Sequence, residues 1–486
     1  IARQSLDRIT HYLLECNANH EGAFETSRRS DAILDEAHTA MADFLNAGSP
    51  DEIVFGNNMT TLTLHMSHSL ARLLRPGDEI LVTRLDHDAN ISPWLLAAED
   101  KGCKVTWIDF DVEDGTLKLM LANPVSRAAV LAGKKVISND YRIATDMKTV
   151  DVILDATGVP EIGSRAALRA VRNGKQLAMM NVETDITVGP ILHWYAQQKG
   201  VLYALAAGDE PAACKELFDF ADSLGFTIVA AGKGKNNPLD RHATPTDPVI
   251  QKEAARRGLS PNMLIEFIDG SKTMIEMAAV SNSTGLIPDV RGMHGPDTDR
   301  DHLNQTFALI EDGGILNKMG VVDFGVGRVA PGVFLIVRTD HPRLREAMIL
   351  RDMGKGPYYT LFRPFHLCSI EVPLTCAMLA IRRKSNMVPL DHLVSEVFAV
   401  AKHDLRPGDV LDAIGGTTFY SLIDTYENTR KECLLPIGLA KGARVVRPIP
   451  MDRPIAYSDV EMRPSTILDL RNLQDLKFDG AISDAQ

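Results

Sequence analysis

From Asp51 onward the apolar positions alternate between short β-branched runs and longer runs with helical spacing. DEIVFG, TTLTLHMSHSLARLL, DEILVTRL, ISPWLLAAEDKG and KVTWIDF read in turn as strand, helix, strand, helix, strand. That order predicts a parallel α/β layer. A second series begins near Lys134 with KKVIS, VDVILDATG, RAALRAVRNG, QLAMMNV, PILHWYAQQKG, VLYALAAG, PAACKELFDFADSLG and FTIVAAGKG, its helices closing on glycine. The first pattern stops in GTLKLMLANPVSRAAVLAG, which places a join near Leu119. Beyond Gly232, strand-like LIEFIDG and GVFLIVRT separated by glycine- and proline-rich loops predict an α+β substrate domain. After Val388, short strands and turns such as HDLRPGDVLDAIGG and RPIAYSDVEM predict a small all-β module, and the last twenty residues carry a weak helical pattern. The expected divisions are 1–119, 120–207, 208–387, 388–465 and 466–486. The expected class is α/β, with a doubly wound, Rossmann-like sheet.

Composition narrows the function. With 45% hydrophobic and 24% charged residues in 486, the chain has room for several folded domains and is neither disordered nor fibrous. Fifty-two basic against 64 acidic residues give a net charge of -12, which excludes a general nucleic-acid binder. No apolar run approaches the roughly 18 residues of a membrane helix. Cys16, Cys103, Cys214, Cys368, Cys376 and Cys433 are scattered without a CxxC pair, as expected of reduced thiols in a cytoplasmic protein. The opening IARQSLDRITHYL is a helical pattern without the basic and apolar regions of a signal peptide, and a start at Ile inside it predicts a truncated amino end.

Several polar clusters stand where α/β sheets bind ligands. VDVILDATGVPEIG places Asp155, Thr157 and Gly158 at the carboxyl end of a strand, and GKQLAMMNVETD does the same for Asn181, Glu183 and Asp185. GDEP puts Asp209 and Glu210 after another strand, where capping of the following helix is the plain account of Asp209. AAGKGKNNP reads as a glycine-rich loop after a strand, with Lys233, Lys235, Asn236 and Asn237 either clamping an anion or forming an ordinary solvated basic loop. EFIDGSKTMIEMAA contributes Asp269, then Lys272 and Glu276 four residues apart on one helix face, predicted neighbours. A lysine beside a carboxylate can donate a proton to the alkoxide that carbonyl reduction develops. Tyr359, Arg363 and His366 in YYTLFRPFHLCSIE read as closing over a substrate from a later loop, with buried aromatic packing an equal account of the Tyr and Phe. Nearer the start, GNNMTTLTLHMS offers Asn57 to Thr61 between a strand and a helix, as a phosphate turn or a simple helix cap.

The segments NANHEGAFETSRRSD, PDEIVFGNNMTTLTL, LRPGDEILVTRLDHDANISPW and EDKGCKVTWIDFDVEDGTL resemble the class V aminotransferases, especially the cysteine desulfurase-like branch. The resemblance implies that Met59, Thr60 and Thr61 grip the phosphate of pyridoxal phosphate and that His87 stacks on its ring. No Ser-x-His-Lys-like motif supplies a Schiff-base lysine, so this cofactor is not expected to serve. From Asp151, the segments DVILDATGVPEIG, MMNVETDITVGP, AAGDEPAACKEL, AAGKGKNNPLD, EFIDGSKTMIEMA, MHGP, GKGPYYTLFRPFHLCSIEVPLT and AVAKHDLRPGDVLDAIGG resemble homoserine dehydrogenase-like oxidoreductases with a carboxyl-terminal SAF module. These include the 1-deoxyxylulose 5-phosphate reductoisomerase-like proteins.

That resemblance implies NAD or NADP as cofactor, a small carbonyl or sugar-phosphate substrate and, in the reductoisomerase case, a divalent ion (Mg or Mn) held by Asp209 and Glu210 together with Glu276. A homo-oligomer with no nucleic-acid or membrane partner is expected. Such enzymes open with a strand, a GxGxxG turn and a helix, and the chain has no such turn in place. Its single GxGxxA match, Gly325 to Ala330, runs into Pro331 and a strand-like segment, and is rejected as a fingerprint. The chain therefore reads as two joined pieces. The alternatives are a desulfurase-like enzyme and a binding or structural protein in which neither cofactor site survives.

Overall fold

The computed structural model describes residues 3–83, 88–110, 117–119, 140–236 and 239–483. The chain divides into two compact units, one built mainly of Ile1–Ala128 and the other of Tyr141–Gln486.

In the first unit, helices α1 (Glu25–Leu45), α2 (Met59–Ala71) and α3 (Ser92–Lys101) accompany a three-stranded sheet of β1 (Glu79–Thr83), β2 (Lys104–Phe110) and β3 (Leu117–Leu119). β1 and β2 are parallel, and β3 returns antiparallel to β2. Gly102 ends α3 in the left-handed conformation, as its sequence position predicts. The strand expected at DEIVFG does not form. Pro50–Glu52 make a single 3-10 turn, and Val54 and Phe55 stay exposed, because the sheet brings no neighbouring strand to them.

In the second unit, β4 (Val152–Asp155), β5 (Gln176–Met179) and β6 (Tyr203–Leu205) form a parallel sheet in sequence order. Helices α4 (Pro160–Arg172) and α5 (Val182–Lys199) make the crossovers, and α6 (Glu210–Ser223) leads into a larger mixed sheet. That sheet contains β7 (Thr227–Lys235), β8 (Ile287–Pro288), β9 (Asp297–Asp299), β10 (Val321–Arg328), β11 (Val333–Arg338) and β12 (Tyr358–Arg363), in the order β12-β11-β7-β10-β8, with β9 on β10. The match at Gly325 to Ala330 lies in β10 and the turn to β11, not before a helix. LIEFIDG, expected as a strand, is helix α7 (Pro261–Ile268), started by Pro261 and capped by Ser260 Oγ accepting from Met263 N at 3.2 Å.

Helix α8 (Ser271–Thr284) runs through the middle, with Met274, Ile275, Met277, Ala278, Ala279 and Val280 all buried. It packs on β7, β10, α5 and α6, and on β13 (Ser395–Ala401) and β14 (Phe419–Thr425) of the carboxyl-terminal module. A helix apolar on nearly all sides belongs in such a place. The module is not all-β, since short helices Tyr426–Lys431 and Ile437–Ala440 interrupt it. Helix α9 (Cys368–Ala377) follows β12, and the closing helix α10 (Thr466–Ser483) packs on α4 and α5. No described helix is long and apolar enough to cross a membrane.

Candidate active site

The acidic pair Asp209 and Glu210 sits at the turn from β6 into α6. Gly208 shapes that turn with a φ of +86°, and a Cβ there would stand 2.7 Å from Glu371 Cβ and 2.9 Å from Leu367 O. Only glycine both tolerates that φ and lets the turn approach the start of α9 so closely. Asp209 occupies the N-cap position of α6, but its side chain makes no cap hydrogen bond. The predicted capping role is thus replaced: its carboxyl faces Cys368, with Oδ1 3.8 Å from Sγ, and the charge of Lys272. Burial is the main cause that pushes Asp209 up to about 7.

Lys233 and Lys235 lie in strand β7, not in a solvated loop, and Asn237 lies outside the described residues. The two-residue period puts both lysines on one face of the strand. On the other face a Cβ at Gly234 would fall 2.1 Å from Ala330 N, so the glycine permits the close approach of the hairpin between β10 and β11. Lys233 Nζ donates to Glu210 Oε1 at 2.7 Å and to Glu276 Oε2, all three groups buried. Burial alone would lower the lysine's pKa, yet Glu276 and Glu210 hold it above its ordinary value. Burial would likewise raise Glu210, but Lys233 brings it down to about 2. Lys235 is pulled down to about 8 by burial and by Lys233, and its Nζ donates to Phe267 O rather than facing an open anion site.

Lys272 and Glu276 share one face of the buried helix α8, and the charge of Glu276 acts on Lys272, but each takes its hydrogen-bond partner elsewhere. Tertiary partners outcompete the intrahelical pair: Lys272 Nζ donates to Glu183 Oε1 at 2.8 Å, and Glu276 is taken by Lys233. Burial disfavours the Lys272 ammonium, but Glu183, Asp209 and Glu276 hold its pKa well above the ordinary one. Burial, then the charge of Glu210, pushes Glu276 up to about 8 in spite of Lys233. The cluster sets four acids, Glu183, Asp209, Glu210 and Glu276, against the ammonium groups of Lys233 and Lys272. Fully ionised it would carry an uncompensated negative charge in a low-dielectric interior, in keeping with the upward shifts of Asp209 and Glu276.

The strand-end residues Asp155, Thr157 and Asn181 form a closed network. Asp155 Oδ1 accepts from Thr157 N at 3.0 Å and from Thr157 Oγ1 at 2.8 Å, and Asn181 Nδ2 donates to Asp155 Oδ2 at 3.0 Å. Gly158 turns the chain there with φ +63°. Asn181 Oδ1 caps α5, and Glu183 on its first turn reaches Lys272, so the network joins the parallel sheet to the lysine cluster. Nearby, Asp185 is buried, accepts from Tyr203 Oη at 2.5 Å, and its Oδ2 has no hydrogen-bond partner among the described residues. Burial pushes Asp185 up to about 7 from 3.8.

The folded state therefore keeps a proton on Asp185 that the unfolded chain releases. Its contribution to stability is full below about pH 4 and is lost as pH rises through about 7. Urea unfolding at stepped pH should show that decline, and Asp185→Asn should flatten it. An unchanged pH slope in the variant would refute the assignment.

Of the residues expected to close over a substrate, Tyr359 is fully buried in β12, and Arg363 is committed to Glu216 at 2.8 Å and Glu371 at 2.6 Å. Only His366 reaches the cluster, its Nε2 3.4 Å from Glu210 Oε1. Asp269 is paired with Lys402 at 2.9 Å, a buried link from the start of α8 to the carboxyl-terminal module. Lys402, Glu266 and Cys368 escape the sequence reading. Burial, then Glu183, pushes Glu266 up to about 8, and Cys368 is placed against Gly208 and Asp209. Cys368 follows His366 by two residues in HLC, and that spacing was the available signal. In the first unit, Asn58 Oδ1 accepts from Thr61 N at 2.9 Å, so the turn at Asn57 to Thr61 is a helix cap, while His87 lies outside the described residues.

Residues 208–372 match the family model for the catalytic domain of oxidoreductase DRL, and residues 1–130 match the model for class-V aminotransferases. The chain is 39% identical over 107 residues to the aminotransferase-like protein FGM3 of Gibberella zeae, covering 22% of the chain and 26% of that protein. It is 27% identical over 183 residues to a probable cysteine desulfurase of Mycolicibacterium paratuberculosis, covering 37% and 25%. The chain spans 25–39% of the length of the curated relatives it matches. Among solved structures, a hyperthermophilic archaeal homoserine dehydrogenase in complex with NADPH is 11% identical, covers 63% of the chain and 98% of its own, and has a TM-score of 0.29. A DOX-P reductoisomerase in complex with NADPH, fosmidomycin and magnesium is 14% identical, with coverage of 46% and 54% and a TM-score of 0.22. Lys233, Lys272, Glu276, Asp209, Glu210, His366 and Cys368 all fall inside the oxidoreductase match. The chain thus joins a segment that matches the class-V aminotransferase model to one that matches the model for the catalytic domain of oxidoreductase DRL.

Proposed function

We propose that the second unit is a nicotinamide-dependent oxidoreductase acting on a small carbonyl or sugar-phosphate substrate, in the manner of homoserine dehydrogenase-like or reductoisomerase-like enzymes. The observation that supports it best is the Lys272 ammonium inside a buried cluster of carboxyl groups at the carboxyl ends of parallel strands, within the oxidoreductase match. Thr157 and Gly158 suit the nicotinamide end of NADH or NADPH, since both are exposed at the strand end with open space where a Gly158 Cβ would lie, and the buried Asn181 positions them through its bonds to Asp155 and Thr157. When bound, the reduced nicotinamide supplies hydride.

The chain's own residues then manage the proton. Lys272 Nζ holds and donates a proton to the substrate oxygen, Glu183 fixes that ammonium in place, and Glu276 restores its proton. Lys233 positions Glu210 and Glu276. The oxygens of Asp209, Glu210 and Glu276 lie within 4.8 Å of one another, the donor type that Mg or Mn takes. Lys233 already supplies the cation between two of them, so the set does not suit a hard metal ion and no step is assigned to one.

Titration of the full chain with NADPH and NADH, read by Trp194 fluorescence and by calorimetry, tests the proposal. Saturable binding at micromolar concentration is expected. A folded chain that binds neither would overturn it. A second reading rests on the class-V match of residues 1–130, and visible absorption on adding pyridoxal phosphate is its test.

A further inference from the structure

Beside the lysine cluster, three side chains of different donor type meet across a gap. Cys368 is the first residue of α9, His366 lies in the approach to that helix, and Asp209 comes from the turn held close by Gly208. His366 Nδ1 is 3.6 Å from Cys368 Sγ, Asp209 Oδ1 is 3.8 Å from the same sulfur, and one donor atom of each residue lies within 4.8 Å of the others. From these we infer that Asp209, His366 and Cys368 form a binding site for a borderline-soft divalent transition metal, Zn2+ foremost.

The separations carry the argument. Bonds of about 2.3 Å to sulfur and about 2.0 Å to nitrogen or oxygen, at tetrahedral angles, hold donors about 3.5 Å apart. The two measured distances to Sγ are close to that value, and the remaining pair, Asp209 and His366, lies within 4.8 Å. Mixed nitrogen, sulfur and oxygen donors select zinc over magnesium or calcium, which take oxygen alone.

The surroundings have the features of such a centre. With Nδ1 on the metal, His366 Nε2 points to Glu210 Oε1 at 3.4 Å, the carboxylate that commonly orients a metal-bound imidazole. Asp209 is buried while His366 and Cys368 are half-buried, so an ion can enter from solvent. Three protein donors leave a fourth position for water or a substrate oxygen, which is the pattern of catalytic rather than structural zinc. The site differs from the carboxylate set filled by Lys233 and shares only Asp209 with it. It goes beyond the oxidoreductase reading, and its occupancy is measured without turnover.

The experiment is equilibrium dialysis of the full chain against Zn2+, repeated with Co2+ and followed by absorption spectroscopy. One equivalent should bind, and the cobalt form should show a near-ultraviolet thiolate-to-metal charge-transfer band. Cys368→Ser should remove the band, His366→Ala should weaken Zn2+ binding at least tenfold, and Cys433→Ser, an exposed thiol elsewhere, should change neither. Near-ultraviolet circular dichroism identifies any variant that misfolds, and Asp209→Asn provides a third ligand test. A cobalt complex without the band, a band that survives Cys368→Ser, or displacement of Zn2+ by equimolar Mg2+ would each overturn the site.

Discussion

Replacing Lys272 by Met should lower turnover about 100- to 10,000-fold, the usual range for a lost general acid, while leaving the affinity for NADPH within a few-fold. The ammonium lies in α8 with Glu183, Asp209 and Glu276 as its electrostatic partners, and its raised pKa keeps it charged through neutral pH. Turnover is read as NADPH oxidation with the carbonyl compound that the parent chain accepts. Lys272→Arg keeps the charge and the pairing with Glu183 but holds its proton too firmly to donate it, so it should rescue folding without rescuing rate. A structural role would behave differently, because the arginine would then restore both. Unchanged turnover in Lys272→Met would remove this residue from the chemistry. Glu183 should act only through Lys272: Glu183→Gln should lower turnover and alter its pH profile with a smaller loss than Lys272→Met.

Much of this site was legible because strand ends and helix starts announce themselves in sequence. Asp155, Asn181, Asp209 and Glu210 stand at or just beyond the ends of β-branched or alanine-rich strands, and the structure puts Asp155 last in β4 and the other three at helix starts. What was not legible was pairing at a distance. Lys272 and Glu276 invited a local pairing, but their partners Glu183 and Lys233 are 89 and 43 positions away. LIEFIDG was misread because Leu264, Ile265, Phe267 and Ile268 suit a helix face as well as a strand. The deciding signal was Ser260-Pro261 at its start. The misreading of GKGK ran the other way: lysines two apart between glycines look like a loop, although they are one face of β7 with the other face pressed against a hairpin. DEIVFG has strand composition, but a strand exists only where a neighbour supplies its hydrogen bonds.

Removing Arg471 should be the most destabilising change in the second unit that leaves the lysine cluster untouched. Arg471 lies on α10, is 1% exposed, and donates to Glu396 of β13 through both terminal nitrogens and to Asp475 at 2.7 Å. Glu396 is itself only 2% exposed. Arg471→Met therefore strands a carboxylate in the interior, at a cost of about 3–5 kcal/mol. The double change Arg471→Met with Glu396→Met removes both charges and should recover most of that loss, since a buried ion pair compensates its own desolvation more than it adds net stability. Urea unfolding in a background where Trp94 and Trp107 are replaced by Phe leaves Trp194, on α5 beneath α10, as the reporter of this unit. A single variant that costs less than about 1 kcal/mol, or a double variant as unstable as the single, would show that the closing helix is held by its apolar face alone. The expected pattern makes the pair a specificity device: it fixes where α10 docks on β13 and so closes the fold over the helices that carry Glu183 and the strand-end network.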